Sequence, residues 1–141
     1  MTIKAVKAII LVNKNYLLQL RDKKKNISFP NHWGLFGGRI DKKEKNIIAL
    51  KREIKEETNL NIKINRRIFN VDFDIIGLKK KRNLQYYECE IIGKQKIKLS
   101  EGKKYKFFSF QQIKKLNIVP MDFVALKSHY LHNNHFISIY R

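Results

Sequence analysis

Acidic residues are scarce in this chain: 12 Asp and Glu stand against 31 Lys and Arg in 141 residues, a formal net charge of +19. Cysteine is scarcer still. A lone Cys89 excludes an internal disulfide framework and fits a reducing compartment. It lies in the strand-like run YYECEII and is expected to pack as a small core or surface residue, not as a reactive thiol. The two prolines and six glycines form no Pro/Gly/Ser-rich linker, and no internal repeat is visible, so residues 1–141 are expected to form one domain. Long hydrophobic runs are missing too: nothing approaches the ~20 apolar residues that cross a bilayer, and the N-terminus lacks a signal-peptide pattern. A soluble cytoplasmic protein with no membrane partner is therefore expected. What is present suffices for a core, since 43% of residues are hydrophobic and 11% aromatic, which excludes a disordered chain.

The few acids are not scattered. Before Asp41 the only one is Asp22, yet Asp41, Glu44, Glu53, Glu56 and Glu57 follow within 17 positions. Residues 45 to 57 contain no Gly or Pro, and Ile47, Ile48, Ala49, Leu50 and Ile54 can supply an apolar stripe, so this stretch is expected to be helical. At ~100° per residue, Glu56 and Glu57 share the face of Glu53. Three carboxylates on one face repel one another by a few tenths of a kcal/mol per pair, roughly. Clustered hard oxygen donors suit Mg²⁺ or Mn²⁺, which would remove that repulsion. Just upstream, Gly37-Gly38 reads as a turn whose backbone can approach a ligand.

The complete pattern is Gly38, five residues, Glu44, seven residues, Arg52-Glu53-Ile54, one residue, Glu56-Glu57, one residue, Asn59-Leu60. It resembles the signature of the Nudix hydrolases, of which the MutT-type enzymes are one branch. One position departs: Asn59 stands where the family has Gly. The residue after such a helix needs φ > 0, and Asn tolerates that conformation best among the non-glycine residues. The resemblance implies an α/β fold, an α/β/α sandwich around a mixed sheet. It also implies metal-dependent hydrolysis of the pyrophosphate linkage in a nucleoside diphosphate derivative, with Mg²⁺ as cofactor and Mn²⁺ as a substitute. Glu53, Glu56 and Glu57 would hold the ions and position or deprotonate the water. Arg52 would pair with a box carboxylate, and Glu44 would support the loop or an outer ion. The Gly37 carbonyl and Glu101, which sits six residues before Phe107 and eight before Ser109, are further candidate metal ligands. Arg21, Arg39 and Asp122 are candidate substrate contacts, Arg21 through phosphate and Asp122 through a base.

Along the rest of the chain, Ala5 to Val12 reads as an apolar buried strand, Asn13-Lys14-Asn15 as a turn, and Tyr16 to Leu20 as a second strand. One or two strands are expected over Asn61 to Ile76, then a charged hairpin loop at Lys79 to Arg82, then a strand over Leu84 to Ile92. Glu88 and Glu90 share one face of that strand, which is read as the solvent face of an edge strand. A short helix over Gln111 to Leu116 has Ser109 as its cap. A last helix runs from Pro120 to Leu131, with Phe123, Val124, Leu126 and Leu131 as its buried stripe. Asn133-Asn134 should end it, and Phe136 to Tyr140 alternates like a short strand. His129, His132 and His135 recur every third residue, but that spacing drifts around a helix and no zinc site is expected.

The substrate stays open at this level: nucleoside triphosphates, nucleotide sugars, dinucleoside polyphosphates and capped RNA ends all carry the linkage. The positive charge supports a second reading, a basic nucleic-acid-binding module, with Lys clusters at 23–25, 79–82, 94–98 and 103–106 in expected loops. The abundance of Lys, Asn and Ile can equally reflect genome composition. A nucleotide partner, and a monomer or homodimer, are expected.

Overall fold

The computed structural model describes residues 2–23, 29–75, 80–100 and 103–139, with side chains left aside at 75 and 134–139. Its elements are β1 (Thr2–Val12), β2 (Asn15–Leu20), β3 (Trp33–Gly34), β4 (Phe36–Arg39), α1 (Asn46–Thr58), β5 (Ile62–Ile75), β6 (Lys80–Ile91), β7 (Lys104–Phe108), α2 (Phe110–Ile113) and α3 (Pro120–Ile139). The seven strands form one mixed sheet along the path β3-β2-β1-β6-β5, with β4 added to β1 and β7 to β2. β1 is parallel to β6, whereas its other pairings are antiparallel.

The strand period of two divides the interior into two layers. Val6, Ala8 and Ile10 of β1, with Leu17, Tyr87 and Cys89, pack beneath Ala49, Leu50 and Ile54 of α1. Ile9, with Tyr16, Leu18 and Tyr86, packs on the opposite side against Phe110 and Ile113 of α2 and Ala125 and Leu126 of α3. This is the expected α/β/α sandwich. Each buried Leu or Ile in either layer contributes about 1.5–3 kcal/mol.

α1 follows the sequence pattern closely but presents a narrower apolar face. Ile48 is 52% exposed because its angle on the helix carries it away from Leu50 and Ile54, and Ile47, on their side of the helix but in its first turn, is 45% exposed. The helix ends as expected. Asn59 adopts φ 63°, and its N–H donates to the Lys55 carbonyl at 2.9 Å. The buried Thr58 hydroxyl donates to the Ile54 carbonyl and accepts from Leu60 N–H. Asn59→Gly is therefore expected to leave activity intact and to move the melting temperature by no more than about 3 °C, since relief of the left-handed strain roughly offsets the greater freedom of the unfolded chain. A larger drop in a thermal melt would reveal a contact made by the Asn59 side chain.

Several expectations are corrected. Gly37-Gly38 is not a turn but lies within β4, which pairs with β1 through Lys7↔Gly37 and Val6↔Gly38. Lys80, Lys81 and Arg82 belong to β6: Lys81 and Arg82 pair with Thr2 and Ile3 of β1, and all three pair with Phe73–Ile75 of β5, so this part of the basic cluster is strand, not loop, while Lys79 lies outside the described residues. Lys104 and Lys106 likewise lie in β7. β6 is flanked by β1 and β5, so Glu88 is not on an edge strand. α3 continues through Asn133-Asn134 to Ile139, and residues 136–139 are helical instead of a strand. Its buried residues are Asp122, Ala125, Leu126 and His129, while Val124 and Leu131 point outward. The spacing of 3–4 residues from 122 to 129 shows why: two of the inward positions are polar, and the apolar count misled.

His129 is not part of a zinc site. Its Nε2 meets Glu88 Oε1 at 2.8 Å and its Nδ1 meets the Tyr16 hydroxyl at 2.8 Å. An ionised carboxylate can only accept, so Nε2 carries the proton and Nδ1 accepts from Tyr16. Burial lowers the His129 pKa and keeps this ring neutral, fastening α3 to β2 and β6. His132 is exposed, and His135 has no described side chain.

Candidate active site

The second half of α1, the segment before it that carries Glu44, and strand β4 together hold the box residues. Arg52 is the centre of the arrangement. Its Nε and Nη2 donate to the two Glu44 oxygens at 2.8 and 2.9 Å, a two-pronged pair. Nη1 donates to Glu53 at 2.9 Å and to Glu56 at 3.4 Å, and Nη2 also reaches the Arg39 carbonyl at 3.1 Å. Glu44 in turn accepts from Asp41 N–H at 3.0 Å. The hydrogen bonds from Arg52 and Asp41 lower the Glu44 pKa to about 2, so it remains a fixed anion that orients the guanidinium.

Glu53 and Glu57 are held against strand β4. Gly38 packs directly on Glu53: a Cβ at Gly38 would overlap the Glu53 carboxylate, so only glycine lets this acid approach the strand. Glu57 Oε1 accepts the Gly37 N–H at 3.1 Å, and Lys103 Nζ stands 3.7 Å from Oε2. Burial raises the Glu57 pKa to about 7; Lys103 opposes that shift and the Glu53 charge adds to it. Burial also raises Glu53, against the pull of Arg52. Two neighbouring acids held above their ordinary range mark negative charge without a full counter-charge.

Glu53, Glu56 and Glu57 on adjoining turns offer an all-oxygen donor set, with Gly37 of β4 bonded to Glu57 through its N–H. Such a set fits a hard divalent cation, and the raised pKa of Glu57 gives that cation something to relieve. Among the described residues no three acidic, His or Cys side chains already converge as a cage; Arg52 and Lys103 hold the carboxylates instead. Glu101 lies outside the described residues.

Glu57 opens onto a cleft of about 830 Å³ between β1, β4 and the start of α3. Arg21, Gly37, Gly38 and Asp122 line it, together with Arg82 and Lys103 from the basic clusters, and with Lys7 and Gln19, which the sequence alone did not single out. Phe29, Phe73, Leu84 and Met121 give it apolar walls. Arg39 is exposed at the end of β4 and does not line this cleft. Asp122 is fully buried: its carboxylate accepts from Lys7 Nζ at 2.9 and 3.0 Å, from the Tyr86 hydroxyl at 2.7 Å and from Leu35 N–H at 2.9 Å. Gln19 Nε2 donates to the Leu35 carbonyl at 3.3 Å. The sequence signal for Lys7 is a single cation inside the β1 apolar run, which is not continuous after all.

The chain matches the NUDIX domain family model over residues 1–127. No curated protein matches it significantly. Its fold is similar to that of the DNA mismatch repair protein MutT (family Nudix hydrolase) from methicillin-resistant Staphylococcus aureus 252. There the identity is 28% and the TM-score 0.72, over 90% of this chain and 94% of that one. It is also similar to the MutT protein from Methanosarcina mazei Go1, with 22% identity and a TM-score of 0.74 over 95% of each chain. A C. elegans Ap4A hydrolase binary complex superposes with a TM-score of 0.72 at 21% identity, over 94% of this chain and 98% of that one.

Proposed function

The chain belongs to the Nudix family of pyrophosphohydrolases, and on that premise we propose that it cleaves the pyrophosphate linkage of a nucleoside diphosphate derivative to a nucleoside monophosphate and a phosphorylated remainder. The observation that carries this reading is Glu57: a part-buried acid with a pKa raised to about 7, tied to Gly37 N–H at the mouth of a cleft that also carries Lys7, Arg21, Arg82 and Lys103. A pyrophosphate is a polyanion that repels hydroxide, so the reaction needs positive charge on the phosphate oxygens and an activated water. Nudix enzymes generally use a divalent metal; here Glu53, Glu56 and Glu57 would hold it, and when bound, Mg²⁺ supplies that charge and lowers the pKa of the attacking water.

The chain's own residues do the rest. Arg52 orients Glu53 and Glu56 and is itself fixed by Glu44. A box carboxylate left off the cation would take the proton from water, and in the metal-free protein Glu57 is the one of them held near 7. Lys103 and Arg21 line the cleft where phosphate oxygens would lie. The apolar walls would exclude water around the group attached to the diphosphate. The C. elegans neighbour is an Ap4A hydrolase, and a dinucleoside polyphosphate is one substrate consistent with a cleft of this size.

Incubation with Mg²⁺ and a panel of nucleoside triphosphates, nucleotide sugars, dinucleoside polyphosphates and capped RNA should give a nucleoside monophosphate from at least one member. Excess chelator should abolish this. Undiminished turnover in chelator would overturn the metal dependence. Tight RNA binding without hydrolysis of any member would instead favour a nucleic-acid-binding module, to which the +19 charge is suited.

A further inference from the structure

The inner end of the cleft carries a buried ion pair that the pyrophosphate chemistry does not use. Lys7 interrupts the apolar face of β1, and its ammonium sits 2.9 and 3.0 Å from the two Asp122 oxygens. The same carboxylate accepts the Tyr86 hydroxyl and Leu35 N–H. A carboxylate offers about four acceptor positions, and four bonds fill them. Asp122 also packs tightly against Gly34, where an added Cβ would stand 3.0 Å from Oδ2. It has no acceptor left for a ligand. The Lys7 ammonium carries three hydrogens, of which the two bonds to Asp122 use at most two. The Lys7 side chain is 16% exposed, whereas that of Asp122 is fully buried, so what the pair offers the cleft is a donor.

On the reading of the cleft as a nucleotide site, we propose that Lys7 is a specificity-determining residue that selects nucleobases with a carbonyl oxygen at purine C6 or pyrimidine C4 over those with an exocyclic amino group at that position. Asp122 is the positioning residue that aims the ammonium. The pair is neutral overall, which disfavours a phosphate at this point and suits a neutral hydrogen-bond acceptor. Leu84, Phe73 and Met121 beside it supply apolar surface of the kind a base covers. An amino group would direct a donor at a donor and leave the Lys7 hydrogen unpaired, which a site built around that hydrogen rejects.

The test compares bases that differ at one position: inosine with adenosine, and uridine with cytidine. With the triphosphates, kcat/KM should favour the carbonyl member of each pair by at least about tenfold. Binding of the matching monophosphates, measured by calorimetry without turnover, should show the same order. Lys7→Arg should keep the preference. Lys7→Met should reduce it to within about threefold, because no donor remains. Should Lys7→Met fail to fold with Asp122 left uncompensated, the double variant Lys7→Met/Asp122→Asn removes both charges and should lose the preference equally. Equal handling of both members by the native protein, or a preference retained in the folded double variant, would overturn the proposal. The monophosphate arm separates the two readings: a carbonyl preference in binding with no hydrolysis of any triphosphate would sink the pyrophosphohydrolase reading and leave this one standing. Hydrolysis without base preference would do the reverse.

Discussion

Glu57→Gln is expected to lower kcat by at least about 100-fold while the protein still folds. The amide keeps the shape and can still accept the Gly37 N–H, which in the native protein runs 3.1 Å to Oε1. It cannot take a proton from water near pH 7, and it removes one of the three box carboxylates that suit a dication. The variant should also change how stability depends on pH in the metal-free protein. The Glu57 pKa is raised from its ordinary 4.5 to about 7 on folding. A raised acid binds its proton more tightly in the folded state, so its contribution to stability is fully present below pH 4.5 and is lost as pH rises through about 7. The swing is on the order of 3 kcal/mol at most. Metal-free native protein should therefore lose more melting temperature between pH 5 and pH 8 than Glu57→Gln does, and Mg²⁺ should restore part of that loss at pH 8. Glu56→Gln, at an exposed position, should slow turnover without changing this pH profile. Near-native turnover in both variants would remove α1 as the catalytic element, and identical melting profiles would remove the raised acid.

Gly37→Ala should be the most damaging alanine substitution among the described glycines. The new Cβ would run into the Val6 carbonyl oxygen and the Lys7 Cα, both backbone atoms that no rotamer change can move. β4 pairs with β1 at this residue, so the clash can be relieved only by parting the two strands. That would also withdraw the Gly37 N–H from Glu57 and shift Lys7, its partner in register. Overpacking of this kind is expected to destabilise by at least about 3 kcal/mol, or about 10 °C in melting temperature for a domain of this size. Gly93→Ala is the control: its added Cβ would meet nothing within 4 Å, although its φ of 61° still favours glycine. A melting temperature for Gly37→Ala within a few degrees of native would show that β4 is far looser than its register implies.

What could be read from the sequence was local. The acidic face of α1 follows from the i, i+3 and i+4 spacing of Glu53, Glu56 and Glu57, which needs no partner to define it. The left-handed Asn59 and the Ser109 cap on α2 were legible for the same reason. The sequence was misread where apolar character stood in for burial. Val124 and Leu131 look like core and point outward, while Asp122 and His129 look like surface and are completely buried. They can be buried because partners supplied from afar, Lys7 and Tyr86 for one and Tyr16 and Glu88 for the other, replace the hydrogen bonds of water.

The chain by itself thus determined the family, the helix and the order of its carboxylates, all set by neighbours within about one turn. Tertiary structure alone decided that Gly37-Gly38 is a strand against β1, that β6 is interior, and that Lys7 meets Asp122 across 115 positions of sequence. Such pairings depend on strand register and on the seating of α3. Register is set by the whole hydrophobic pattern of the sheet, so no short window of sequence contains it.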